Sequence, residues 1–246
     1  MPRYFIEVAY HGKNYAGFQK QRNAINTIQE EVEKALSVFF RSPFALTGSS
    51  RTDAGVHAKQ NYFHFDSDAI RCDQVLKAPY HLNAILPGDI VVKSLVAVQP
   101  GAHCRFDALS RTYEYAIYFE KDPFMEDRAY FLPHKPDLYL LQAVADEILK
   151  QTHFKAFSKK NTQVRTYHCN ILASEWIQRD QLIIYRVTAN RFLRGMVKGL
   201  VGTMLKVGRG KISVETFRSI LNSSDPSFVD FSVSPEGLTL VEIRYK

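Results

Sequence analysis

Hydrophobic and polar residues alternate at the start of the chain and then change to a helical spacing. The alternation in RYFIEVAY, residues 3–10, predicts a strand. In NTIQEEVEKALSVFF, Asn26 or Thr27 is followed three residues later by Gln29 or Glu30, which is typical of a capping box at the start of a helix. Further segments predict strands around FALTGSS and NYFHFD, a helix in CDQVLKAPYHLNAI and a strand in IVVKSLVAV. The predicted order is therefore β-α-β-β-α-β.

The second half of the chain repeats this order with additional segments. Strands are predicted in RTYEYAIYF, YHCNILASEWI, QLIIYRVTA and LTLVEIRYK, and helices in DLYLLQAVADEILK and from about Arg191 to Lys206, with a short inserted helix in VETFRSILN. The predicted fold is α+β, in which two ferredoxin-like βαββαβ halves join into one mainly antiparallel sheet. Helices are expected on one face of the sheet and an active-site cleft on the other. A loop-like stretch, QPGA, divides the halves into residues 1–101 and 102–246.

The charge of the chain favours an anionic partner. The 32 Lys and Arg residues exceed the 25 Asp and Glu residues, which gives a formal net charge of +7. Such a balance favours nucleic acid as a partner, although charge alone is equally compatible with an ordinary basic protein. The first ten residues lack the apolar region of a signal peptide, and no apolar run is long enough to span a bilayer. The chain is therefore expected to be cytoplasmic, with no membrane partner.

Metal and nucleotide-cofactor motifs are not found in the sequence. The three cysteines show no CxxC spacing, which fits a reducing compartment better than a disulfide framework. His57, His64 and His81 have no neighbouring cysteine or carboxylate at ligand-like spacing. No P-loop or GxGxxG fingerprint occurs either. Neither a metal nor a cofactor is predicted.

A dense group of polar residues precedes the strand NYFHFD, in the stretch TGSSRTDAGVHAKQNYFHFD, residues 47–66. Its carboxylate, Asp53, has turn-forming neighbours, so one interpretation is a structural Asx turn. Arg51, two residues earlier, would keep the acid ionised. A single carboxylate beside a cation, without a nucleophilic Ser or Cys, suits chemistry at a sugar carbon.

The helix predicted near the C-terminus combines an apolar stripe with a basic flank. Arg191, Arg194 and Lys198 fall at i, i+3 and i+7 along that flank. One interpretation is a solvated edge of the helix, the usual fate of charged residues. The alternative is that these cations line a cleft and contact phosphates or a buried acid.

Several segments together resemble one enzyme family. SRTDAGVHA is similar to the active-site motif of the tRNA pseudouridine synthase A (TruA) family, and four further segments occur in the expected order along nearly the whole chain: YHGKNYAGFQKQ, ALSRTYEYAIY, FLRGMVKGLVGTMLKVGRGK and PEGLTLVEIRY. The resemblance implies isomerisation of uridine to pseudouridine in the anticodon stem-loop of several tRNAs. It also implies a homodimer that needs no cofactor.

The resemblance assigns roles to individual residues. Asp53 becomes the catalytic carboxylate, which either attacks the anomeric ribose carbon or removes a 2′ proton. The target uridine must be flipped out of its stem to reach it. Arg51 is then expected to hold the distorted backbone or fill the vacated stack. Tyr113 is expected to stack on the flipped base, although a core tyrosine on a strand is the alternative. Lys198 corresponds to a cation paired with the catalytic acid.

The chain departs from the family pattern at three positions. Ser50 stands where the family commonly has glycine, and Phe18 stands where it often has tryptophan. Lys198 stands where arginine is usual, and a point-charge ammonium does not reproduce a planar guanidinium fork. Asp53 and Tyr113 match the pattern, so an active enzyme is expected.

Two other functional classes remain open at this point. One is a catalytically silent RNA-binding or RNA-chaperone protein on the same scaffold, and the other is an unrelated sugar hydrolase that uses Asp53. Eight basic residues are predicted to contact phosphates, with solvated surface as the alternative for each: Lys59, Arg105, Arg111, Lys159, Lys160, Arg165, Arg191 and Arg194.

Overall fold

The chain folds into two compact units. Unit 1 consists of Met1–Leu109 together with Leu240–Lys246, and unit 2 consists of Ser110–Thr239. The computed structural model describes residues 1–21, 25–159 and 164–246. Within these residues the chain forms nine strands, paired mainly antiparallel, and six α-helices. The predicted α+β class is thereby confirmed.

Unit 1 contains the first β-α-β-β-α-β segment. Its elements are β1 (Arg3–Tyr10), α1 (Ile28–Phe40), β2 (Thr47–Gly48), β3 (His57–Asp66), α2 (Cys72–Val75), α3 (Ala78–Ile85) and β4 (Ile90–Val98). The strands lie in the order β4-β1-β3, with β2 also paired to β3 and every pair antiparallel. This arrangement is that of a ferredoxin-like unit. The last strand, β9 (Leu238–Arg244), begins in unit 2 and runs beside β3 in unit 1.

Unit 2 repeats the pattern with insertions. Its elements are β5 (Ser110–Tyr118), β6 (Tyr130–Phe131), α4 (Leu138–Leu149), β7 (Ile171–Arg179), β8 (Leu182–Ala189), α5 (Met196–Gly208) and α6 (Val214–Asn222). The strand order β5-β8-β7 is antiparallel throughout and corresponds to β1-β3-β2 of unit 1. The two-residue strand β6, which the sequence pattern did not predict, pairs with β5 in parallel.

The start of α1 matches the predicted capping box. The Thr27 hydroxyl accepts a hydrogen bond from the backbone N–H of Glu30, and the Glu30 carboxylate accepts one from the backbone N–H of Thr27. The helix ends at Phe40, and its C-cap, Arg41, adopts a left-handed conformation with φ 53°. Its buried face includes Ile28, Val32 and Leu36, so the helix packs along the apolar stripe that the sequence indicated.

The helix predicted from Arg191 is shorter than expected. It begins at Met196, because Gly195 at its N-cap has a φ of +75° that an α-helix cannot continue. Arg191 and Arg194 therefore precede α5, and only Lys198 of the three predicted flank cations lies on the helix. The idea of three cations on one helical flank was wrong.

Other element limits also differ from the prediction. The single helix expected in residues 72–85 is two helices, because Pro79 occupies the first turn of α3 and starts a new helix there. Strand β3 begins at His57, earlier than expected, and β7 begins only at Ile171.

The compact units divide the chain after Leu109, whereas the sequence suggested residue 101. Residues 102–109 stay with unit 1 because hydrogen bonds hold them there. The Arg3 guanidinium donates to the carbonyl of Ala102 at 2.9 Å, and the Ser49 hydroxyl donates to the carbonyl of Cys104 at 2.6 Å.

One buried side chain of β3 fixes the loop that follows β2. The amide oxygen of Asn61 accepts the backbone N–H of Ser50 at 3.2 Å, and its amide nitrogen donates to the Ser50 carbonyl at 2.8 Å. The same nitrogen lies 3.1 Å from the hydroxyl of Tyr10, which in turn lies 2.7 Å from the Thr52 hydroxyl. Asn61 is 0% exposed. Because water cannot replace these bonds in a buried position, the path of the loop depends on this side chain.

We predict that Asn61→Leu lowers the free energy of unfolding by about 2–4 kcal/mol, since two buried backbone groups lose their partners at about 1–3 kcal/mol each. The matched control is Asn83→Leu, because Asn83 forms the same pair of bonds to the backbone of Val92, at 2.7 and 2.9 Å, but is exposed. That variant should lose less than about 1 kcal/mol, since water can replace its bonds. Chemical denaturation measures both, and equal losses would contradict the role given to Asn61.

Candidate active site

The loop between β2 and β3 contains a turn that begins at Asp53. The backbone N–H of Val56 donates to the Asp53 carbonyl at 3.2 Å, and Gly55 within the turn has a φ of +77°. A residue with a side chain rarely adopts this conformation, so the glycine of the motif is needed for the turn itself. Arg51 is exposed and Asp53 is half-buried. An Asx turn would account for the turn-forming residues around Asp53. In the structure, however, no described residue forms a hydrogen bond with the Asp53 carboxylate.

The segment after β1 holds this loop from a second side. Gly12 packs so closely that an added Cβ would lie 2.0 Å from the Val56 carbonyl oxygen, and its N–H donates to Nδ1 of His57 at 3.0 Å. Gly17, with a φ of +118°, leaves room for the Thr52 carbonyl, which accepts the N–H of Phe18 at 3.1 Å. The backbone around Asp53 is thus fixed both by Asn61 and by these glycines.

An aromatic stack lies beneath the same loop. The rings of Phe18 and Phe63 are parallel within 11° at a centroid distance of 4.3 Å, and Tyr10 stacks on Phe18 at 5.7 Å. Gly48 makes space for this stack, because a Cβ there would come within 2.5 Å of the Phe18 ring. Phe18, noted as a departure from the family pattern, is therefore a core ring below the loop.

The carboxylate of Asp53 is uncommitted. Among the described residues it takes part in no hydrogen bond or ion pair. The neighbouring residues Ser49, Ser50 and Thr52 are all buried. The loop therefore offers a half-buried carboxylate on a fixed backbone, a geometry that suits a group acting on a bound substrate. Ser50, where the family commonly has glycine, fits as a buried side chain with both backbone groups bonded to Asn61.

The two other predicted catalytic residues, Tyr113 and Lys198, lie in unit 2. Tyr113 lies on β5, opposite Val187 of β8, and its ring meets that of Phe192 edge-on at 5.1 Å. Tyr113 is buried in the structure. Lys198 lies in the first turn of α5 and is half-buried.

The predicted phosphate contacts differ in exposure. Lys59, Arg105, Arg165 and Arg194 are exposed, and Lys159 and Arg191 are half-buried. The structure brings Lys159 and Arg194 together, since the N–H of Lys159 donates to the Arg194 carbonyl at 3.0 Å. Lys160 lies outside the described residues.

Arg111 has a structural environment rather than a surface one. It is only 9% exposed, and its guanidinium donates to the carbonyl of Asn190 at 2.8 Å. This burial does not favour a phosphate contact by Arg111.

One cluster of possible metal ligands lies below the loop. Ligand atoms of His64, His103 and Cys104 are all within 4.8 Å of one another. However, Nδ1 of His103 accepts the backbone N–H groups of Arg105 and Phe106, at 3.1 and 3.4 Å, and the Cys104 thiol donates to the Thr47 carbonyl at 3.2 Å. These bonds engage Nδ1 of His103 and the thiol of Cys104 within the protein itself.

Burial lowers the pKa of His64 in this cluster to about 4, with further contributions from the charges of His103 and Arg3. At neutral pH the imidazole is therefore uncharged, and it lies 3.1 Å from the Cys104 sulfur. The cluster is a hydrogen-bonded neutral network that joins β3 to residues 103–106.

The sequence reasoning missed the residues that support the loop, namely Tyr10, Gly12, Gly17 and Asn61. The two glycines fall within the segment YHGKNYAGFQKQ, which was noted only for its resemblance. A glycine near a polar motif signals close backbone approach, but the sequence does not indicate which segment approaches. For Asn61 no signal existed, since it looks like an ordinary polar residue at a strand end.

None of the helices in the described residues has the length and apolar character needed to cross a membrane.

Known proteins resemble the chain over its whole length. A family model described as tRNA pseudouridine synthase matches residues 6–107 and 151–246. The protein from Parabacteroides distasonis named tRNA pseudouridine synthase A is 40% identical over 245 residues, which cover 100% of this chain and 96% of the relative. The proteins of the same name from Bacteroides fragilis and Staphylococcus aureus are 41% and 35% identical, and each alignment covers 98% or more of this chain and 91% or more of the relative. Sequence motif, α+β fold and full-length similarity agree, and the chain belongs to the tRNA pseudouridine synthase family.

Proposed function

We propose that the protein isomerises uridine to pseudouridine in the anticodon stem-loop of tRNA, with Asp53 as the catalytic carboxylate. Family membership supports the reaction. The observation that supports the residue is its half-buried carboxylate, which no described residue engages, on a loop with a fixed backbone. A silent RNA-binding protein would not need such a carboxylate. A sugar hydrolase would normally use a second acid, which the described part of the loop does not provide.

The proposed reaction begins with a uridine flipped out of its stem, at a cost of roughly a few kcal/mol. The bond between uracil N1 and the ribose C1′ breaks, and its electrons leave with the base. Asp53 either bonds to C1′ or removes the 2′ proton, and in both routes the carboxylate meets an electron-poor sugar. The uracil rotates and its C5 bonds to C1′, while the bond from Asp53 to C1′ breaks or, on the other route, Asp53 returns the proton to C2′. The proton on C5 then passes to water, and N1 takes up a proton in its place. Atoms and electrons balance, so no cofactor is required.

The other site residues have supporting roles in this proposal. Tyr113 stacks on the flipped base, where stacking on an aromatic ring is worth roughly 1–3 kcal/mol. Arg51, exposed two residues before Asp53, holds the distorted RNA backbone or fills the vacated stack. Lys198 provides the cation that keeps the acid ionised during the reaction. We further propose that the protein acts as a homodimer in the cytoplasm, where it meets its tRNA substrates.

The role of Asp53 predicts a loss of chemistry without a loss of binding. Asp53→Asn should abolish pseudouridine formation, while the Kd for tRNA stays within several-fold because phosphate contacts supply most of the affinity. Asp180→Asn is the control, since it removes the same charge from an exposed turn where φ is 53° and asparagine is well tolerated. Product mapping and filter binding give both quantities. Appreciable turnover by Asp53→Asn would exclude this residue as the catalytic group.

The role of Lys198 predicts a shift of the pH–rate profile. Without the cation the ionised acid is less favoured, so in Lys198→Met the acidic limb of the profile moves to higher pH. Turnover at neutral pH should fall by at least about tenfold, equivalent to roughly 1.4 kcal/mol. Lys198→Arg should keep most activity, and Lys206→Met, on the same helix, should keep the wild-type profile. If Lys198→Met keeps the wild-type pH–rate profile in single-turnover experiments, Lys198 is a surface cation with no effect on Asp53.

The exposed cations predict a strong dependence of tRNA affinity on salt. If the protein makes several phosphate contacts, raising the salt from roughly 50 to 200 mM should weaken its affinity for tRNA by about a thousandfold. Arg194→Gln should reduce the slope of log K against log salt by about one. Arg179→Gln, an exposed arginine outside the predicted contacts, should leave the slope unchanged. Affinity that hardly varies with salt would contradict the electrostatic part of the proposal.

A further inference from the structure

An exposed aromatic ring lies close to the catalytic loop. Phe106 is 74% exposed, and it follows Arg105, whose guanidinium carbon lies 5.8 Å from the centre of the Phe106 ring. The ring of His103 lies 4.1 Å from the same ring. The three side chains thus form one group of a phenyl ring, a guanidinium and an imidazole, which we call the Phe106 cluster.

The Phe106 cluster is held firmly by the backbone that bears it. The carbonyl of Cys104 accepts hydrogen bonds from the hydroxyls of Ser49 and Tyr245, at 2.6 and 2.5 Å. The N–H of His103 donates to the Asp107 carboxylate at 2.7 Å, and Nδ1 of His103 accepts the N–H of Arg105. The turn thus keeps the Phe106 ring in solvent, where it forgoes about 1.5–3 kcal/mol of possible burial.

A small pocket connects the Phe106 cluster with the loop of Asp53. The pocket has a volume of about 150 Å³ and is lined by Phe18, Gln19, Leu46, Thr47, Gly48, Arg51, His103, Arg105 and Phe106. This volume is below the roughly 300–1,000 Å³ of pockets that hold a complete small ligand. It suits one planar group that belongs to a larger molecule.

The lining of the pocket identifies the chemistry of that group. Arg51 and Arg105 are cationic, and none of the described residues that line the pocket is acidic, so an anionic ligand is favoured. Aromatic rings beside arginines are the usual arrangement for unpaired nucleotides, which stack on the ring and place their phosphate on the cation. The Gln19 amide, which no described residue engages, offers a donor and an acceptor to the edge of a base.

We propose that the Phe106 cluster is a second base-binding site, which stacks an unpaired base of the substrate RNA next to the target uridine. This inference rests on the proposed function, since it takes Asp53 to be where the target uridine binds. Arg51 lies only two residues from Asp53, a span of at most about 7 Å along the backbone. A nucleotide whose phosphate contacts Arg51 therefore belongs to the same stretch of RNA as the uridine at Asp53. Stacking there favours the distorted RNA in which the uridine is flipped out.

The test uses tRNA transcripts that each contain the fluorescent base 2-aminopurine at one position flanking the target uridine. Wild-type protein should quench one of these positions by stacking. Phe106→Leu should abolish that quenching and raise the Kd for tRNA about tenfold or more. Phe106→Trp should retain both quenching and affinity, because it keeps an aromatic face.

The matched control is Phe124→Leu, since Phe124 is a similarly exposed phenylalanine, at 80%, outside the pocket. It should behave as wild type. Quenching and Kd that stay within twofold of wild type in Phe106→Leu would overturn this inference, even if pseudouridine still forms normally. If the wild-type protein forms no pseudouridine, the proposed function is contradicted instead. In that case the comparison of quenching between wild type and Phe106→Leu still tests whether Phe106 stacks on a base.

Discussion

The buried amide of Asn61 is the constraint on which the candidate active site depends. It takes the place of a strand partner for Ser50, because it satisfies both backbone groups of that residue where the loop leaves β2. From there the loop passes Thr52, whose carbonyl is bound by Phe18 and whose hydroxyl contacts Tyr10. Asp53 follows immediately, so its position is set by hydrogen bonds that leave its own carboxylate unused. This separation of support from chemistry is what a preorganised site requires.

In unit 1 the groups that support the loop are uncharged, and the charged groups lie at its exposed rim. Burial keeps His64 neutral, so the network below the loop adds no charge to the site. The charges that an RNA would meet are those of exposed arginines, Arg51 and Arg105, at the rim of the pocket. A neutral network under a cationic rim attracts phosphate to the loop that bears Asp53.

Local patterns were sufficient for most of the fold. Strand β1 and the capping box of α1 could be predicted because alternation and capping depend only on neighbouring residues. The start of α5 was predicted wrongly because an apolar stripe continues through Leu193, whereas the left-handed Gly195 prevents a helix there. For the site, the motif and the resemblance it carries are the basis on which Asp53 and Arg51 are predicted. The contacts of Asn61 and Gly12 join segments that are distant in sequence, and no periodicity indicates such contacts.

We propose that this chain converts uridine to pseudouridine without a metal or cofactor. Incubation of the wild-type protein with unmodified tRNA transcripts, without added metal or cofactor, followed by chemical mapping of pseudouridine, tests it most directly. New pseudouridine is expected within the anticodon stem-loop. Transcripts that remain unmodified, although the protein binds them, would contradict it.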